Sequence, residues 1–117
     1  MEKKMETRKI HVLGTEYTMK ICGESEDARL IGFDGLTDET TKELLVESYE
    51  ANGDEPDCKK DLRVQNRKVR RHEIIHAFLF ESGLAENSGW AQNEEMVDFF
   101  AIQFPKLLKA FEEAEAL

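Results

Sequence analysis

His72, Glu73 and His76 stand in the order His-Glu-x-x-His, a run whose residue types and spacing belong to metal-assisted hydrolysis. On a helix of 3.6 residues per turn the two histidines lie about 40° apart on one face, so a single cation can bind both. Glu73 falls about 100° round from His72, beside the pair, where its carboxylate can take a proton from a water without being a ligand. A five-residue pattern that fixes three positions arises by accident in about one chain of this size in several hundred. The residues around the motif therefore have to separate chemistry from coincidence.

A catalytic zinc site uses three protein ligands and keeps a fourth position open, and the motif supplies two. Glu81 lies round the far side of the same helix, and His11 has no spacing that points to the site. Glu94 and Asp98 are four residues apart on a later helical stretch, sharing a strip bordered by Val97 and Ala101 on one side and Ile102 on the other. Acids beside an apolar face need a partner, because an isolated buried charge costs on the order of several kcal/mol. Glu94 is assigned as the third zinc ligand, with Glu95 as its competitor, only about 60° from Asp98. Asp98 is assigned as the acceptor of the free ring N–H of His72, a contact that fixes the imidazole tautomer.

These residues resemble a known pattern. His72-Glu73-x-x-His76 followed by Asn93-Glu94-x-x-x-Asp98 is similar to the gluzincin zinc metallopeptidases, and the run from Glu94 to Phe100-Ala101 resembles the short ImmA/IrrE-type metallopeptidases and related small zincins of phages and mobile elements. The likeness covers chiefly Arg71 to Pro105, and those proteins carry Asn where this chain has Asp98. The resemblance implies a minimal zincin-like fold, Zn²⁺ on His72, His76 and Glu94, and a protein or peptide substrate such as a phage-type regulatory protein.

The chemistry expected is peptide-bond hydrolysis, with Glu73 as the general base that takes a proton from water and passes it to the leaving amine. The alternative is a non-catalytic regulatory or interaction protein that keeps a zincin-like zinc site for stability, closed by a fourth protein ligand. No histidine follows His76, so a donor for the transition-state oxyanion has to come from Tyr17, Tyr49, Arg70, Arg71, His11 or the backbone.

The elements that position these groups are read from periodicity. Ile10 and Val12, then Tyr17, Met19 and Ile21, alternate on either side of Gly14-Thr15, which predicts a hairpin over Lys9 to Cys22. Arg29 to Phe33 and Thr41 to Glu47 are two further strands, the last readable instead as part of a helix from Thr37-Asp38. The expectation is an α+β domain with an antiparallel sheet of three or four strands, whose edge near Leu44-Leu45-Val46 could accept an extended peptide. Past Pro56, Asp57 serves as N-cap of a long helix that carries the motif and stops at Ser82-Gly83-Leu84, with Gly83 left-handed and Leu84 making the apolar contact. Its final turns, with Ile74, Ile75, Phe78 and Leu79, are apolar almost all round, which predicts a buried helix. A second helix starts between Trp90 and Asn93 and ends at Phe104-Pro105, and Lys106 to Glu113 forms a third that packs on the core.

With 117 residues the chain builds one domain, and its 40% hydrophobic and 35% charged residues have a globular balance. No apolar run approaches the roughly 20 residues of a membrane span, and the polar start carries no signal-peptide pattern, so a cytoplasmic location is expected. Cys22 and Cys58 are read as reduced thiols and not as ligands. A net charge of −9 argues against a nucleic-acid partner. The basic residues Lys59, Lys60, Arg63, Arg67, Lys68, Arg70 and Arg71 are read as a solvated helical face in preference to a guide for acidic substrate.

Overall fold

A computed structural model describes residues 5–49 and 61–117. The chain folds as an α+β domain: β1 (Glu6–Val12), β2 (Thr15–Cys22), β3 (Gly35–Asp38) and β4 (Glu43–Glu47) precede α1 (Leu62–Glu81), a short α2 (Leu84–Asn87) and α3 (Glu94–Glu113). β1 and β2 form the expected hairpin, with Ile10 opposite Tyr17 and Val12 opposite Thr15. Leu13 and Gly14 both take positive φ, 51° and 86°, which gives the two-residue turn whose twist suits paired strands.

The sheet is mixed where a wholly antiparallel one was expected. Its order is β1-β2-β4-β3, and β4 runs parallel to β2, with Thr18 beside Glu43 and Cys22 beside Glu47. The cause lies in the connection between them. After β2 the chain first lays β3 at the outer edge, then turns back through Thr40–Lys42 and inserts β4 between the two. Alternation of apolar residues sets which face a strand buries, not the direction of its neighbour. Leu44, Leu45 and Val46 are accordingly interior and fully buried, so they are not the free edge. β3 is.

The expected strand at Arg29 to Phe33 is a 3-10 turn over Ala28–Leu30. Asp27 caps it by accepting from the Arg29 N–H at 3.0 Å, and Gly32 at φ 82° reverses the chain before β3 begins. Thr37 and Asp38 belong to β3 and do not start a helix. Leu44 and Val46 share a core with Val69 and Ala77 of α1, while Leu45 faces the other way with Cys22 and Leu30.

The cap of α1 is Asp61, accepting from Arg63 and Val64 at 3.1 and 3.4 Å; Asp57, Cys58, Lys59 and Lys60 lie outside the described residues. Gly83 ends the helix at φ 85° as expected, but Leu84 stays 44% exposed and opens α2, where Ala85 is buried instead. The buried stripe of α1 is Asn66, Val69, Glu73 and Ala77, joined by Leu79 near the end. Phe78 is 40% exposed, so the helix buries one side only. That stripe sets Glu73 against the sheet and turns His72 and His76 towards α3.

Asn93 caps α3 by accepting from the Met96 N–H at 2.9 Å. The helix does not stop at Phe104-Pro105: it runs through Pro105 to Glu113. Proline removes the N–H that would bond Ala101, and the Nε of Arg71 meets that carbonyl at 2.5 Å. Only Val97 and Ala101 of α3 are buried, and Phe104, Leu108 and Phe111 remain 38–45% exposed, so Lys106 to Glu113 does not pack on the core. Among the described residues no helix is long and apolar enough to cross a membrane.

Candidate metal centre

α1 presents His72 and His76 side by side, and the first turn of α3 brings Glu94 over them. The Nε2 atoms of the two histidines are 3.1 Å apart. Glu94 places its oxygens 3.0 Å from His72 Nε2 and 3.2 Å from His76 Nε2. Four-coordinate zinc, with ligands at about 2.0–2.2 Å, sets neighbouring donors about 3.3 Å apart. Two imidazole nitrogens and one carboxylate at these separations match the spacing of three donors that would hold one such ion.

Asp98 Oδ1 lies 2.8 Å from His72 Nδ1. A carboxylate there holds the ring proton on Nδ1 and turns the Nε2 lone pair towards His76 and Glu94. The Nε2 of His72, the Nε2 of His76 and the Glu94 carboxylate then converge at hydrogen-bond distance, where a shared proton or a metal ion would relieve the repulsion of their lone pairs. Glu94 and Asp98 side chains are 65% and 51% exposed, so burial is not what demands a partner for them. Convergence on the histidine rings singles them out. Glu95, the competing ligand, is exposed and lies outside the donor cluster.

Glu73 is 6% exposed. Its Oε1 accepts from the Thr37 hydroxyl at 2.7 Å, and its other oxygen lies over Gly35, where an added Cβ would come within 2.8 Å of it and within 2.7 Å of Val69 Cγ1. β3 can approach α1 this closely because residue 35 has no side chain. Burial raises the carboxyl pKa of Glu73, against the opposing pull of Thr37 and of the two histidines. Sequence reasoning missed Thr37 and Gly35. Neither has a local signal, since each matters through a helix that begins more than twenty residues later.

The cleft beside these groups has a volume of about 550 Å³ and is walled by β3 on one side and by α1 and α3 on the other, with Lys68, Phe80 and Phe33 along it. None of the five expected oxyanion donors lines it. Tyr17 donates to Glu81 and Tyr49 to Asp34, each at 2.8 Å. Arg70 donates to Asn66 at 2.7 Å and lines a separate hollow with Arg63 and Arg67. Arg71 is committed to Ala101, and His11 is exposed near Glu16. Glu81, as expected, lies away from the donor cluster, bonded to Thr15, Tyr17 and Lys42. Cys22 is a buried free thiol, apart from the cluster. The chain has no match among family models, curated proteins or solved structures.

Proposed function

We propose that the protein is a zinc-dependent peptide hydrolase of zincin-like, gluzincin type. The observation that carries this reading is the mutual approach of His72, His76 and Glu94 at 3.0–3.2 Å, with Asp98 fixing the orientation of His72 at 2.8 Å. Zinc bound there would supply Lewis acidity, polarising a scissile carbonyl and acidifying a water. Glu73, held by Thr37 and made more basic by burial, takes the proton of the attacking water and delivers it to the leaving amine.

The peptide lies along β3. Glu47 N–H donates to the Asp34 carbonyl at 2.8 Å, and pairing in an antiparallel ladder alternates. Gly35 and Thr37 therefore turn their backbone N–H and C=O groups to the free edge, which borders the cleft. An extended substrate can add a strand there with little sequence preference. Among the described residues, Lys68 also lines the cleft and can donate beside these N–H groups.

Zinc analysis of the purified protein with His72→Ala and Glu73→Gln beside it tests the reading. One zinc per chain, lost in His72→Ala, is expected. Glu73→Gln should keep the metal and lose cleavage of a fluorogenic peptide library by at least about a hundred-fold. Equal zinc with no cleavage by the unmutated protein would favour the non-catalytic alternative, and a metal-free preparation would remove both.

A further inference from the structure

Arg71 precedes His72 and is half-buried, yet its Nε donates to a main-chain carbonyl, that of Ala101, at 2.5 Å. Within an α-helix that carbonyl normally accepts from the N–H four residues on. Here that residue is Pro105, which has none. Arg71 thus fills the acceptor that the sequence of α3 leaves open in its interior. Ala101 is fully buried. It follows Asp98 by one turn and Glu94 by two, so all three share a face of α3.

The geometry points to Arg71 as a positioning residue: its bond to the carbonyl orphaned by Pro105 fixes the height and rotation of α3 on α1, and so sets Glu94 against His76 and Asp98 against His72. The precision this demands is high. A slip of α3 by one residue moves it about 1.5 Å along its axis and turns it about 100°, which takes both acids off the histidines. The consequence for zinc rests on the metal reading above, whereas the contact itself does not.

Two variants and two readouts test it. Arg71→Met keeps the aliphatic stem and removes the donor; Arg71→Lys returns a donor. In metal-free protein the ring proton of His72 held by Asp98 should give a far-downfield proton resonance. It should be present in the unmutated protein, vanish in Arg71→Met and return in part with Arg71→Lys. Zinc affinity, measured against a competing chelator, should fall on the order of ten-fold in Arg71→Met. The same substitution in a chain carrying Glu94→Ala and Asp98→Ala should change affinity by less than about two-fold, because α3 then has nothing left to position. A full loss persisting without the two acids would mean that Arg71 only stabilises the fold, and would overturn the assignment, as would a downfield signal unchanged in Arg71→Met. A resonance that depends on Arg71 in a protein that binds no zinc would uphold the positioning role and remove the metal reading alone.

Discussion

One methyl group at residue 35 tests whether Glu73 works where the fold holds it. A Cβ there would meet Val69 Cγ1 at 2.7 Å and Glu73 Oε2 at 2.8 Å, so the carboxylate must move or β3 must lift. Overpacking of this kind typically costs about 1–3 kcal/mol. Gly35→Ala should keep zinc, since the ligands sit on α1 and α3, and lose at least about ten-fold in turnover because the base is displaced. Metal content and peptide cleavage measured on the same preparation check this; unchanged turnover would show that the seat of Glu73 is not needed. His72, Glu73 and His76 were legible in the sequence because one helix presents all three at a fixed angle. Glu94 and Asp98 were legible as a pair on a strip, although the burial expected of them is absent and contact with imidazole stands in its place. Thr37 was not legible, because its role exists only once β3 meets α1.

Paired charges tie the elements together, and they set how the fold answers to acid. Glu81, at the end of α1, is drawn down to about 2 by Lys42 first, then by the hydroxyls of Tyr17 and Thr15. Asp38 is held at about 2 by Thr40 and then Arg29, and Glu43 at about 2 by Lys20, Thr41 and Arg29. Unfolded, each would titrate near the ordinary carboxylate range, about 4. Between the two values the unfolded chain binds more protons, so stability is fully present above the unfolded pKa and drains as pH falls through the folded one. Urea unfolding should give constant stability above about pH 5.5 from these groups and a decline from there to about pH 2, shallower in Glu81→Gln. A Glu81→Gln protein with an undiminished acid slope would show that this tie between hairpin and helix contributes nothing. At this scale the hairpin, the Gly83 stop and the long motif helix could be read because their signals are local. The direction of β4 and the short β3 could not, since four residues carry little periodicity and pairing direction is decided by the route of the chain. Pro105 misled in a different way: it is a helix breaker whose missing donor is made good by a side chain from another helix.

Across the whole molecule the candidate ion would be a second fastener between α1 and α3, beside the Arg71 contact and the buried Val97 and Ala101. A ligand that binds only the folded state at a hundred times its Kd stabilises by about 2.7 kcal/mol. Chelation should therefore lower the melting temperature of the unmutated protein by several degrees and leave His72→Ala unaffected, as calorimetry with and without chelator would show; no shift in either would deny the ion a part in holding the helices. The exposed apolar side chains of the last turns of α3 contradict the packed helix expected there. The candidate ligands, Glu73 and Asp98 all fall between residues 72 and 98, but the hydroxyl that seats Glu73 comes from residue 37. The contact of α1 with α3 and the docking of β3 on α1 therefore involve different elements, each closing its own stretch of chain. On the metal reading proposed above, α1 and α3 would be enough to hold an ion, whereas Glu73 would lack its seat without β3, so that ion binding and peptide cleavage would be separable by changes confined to β3.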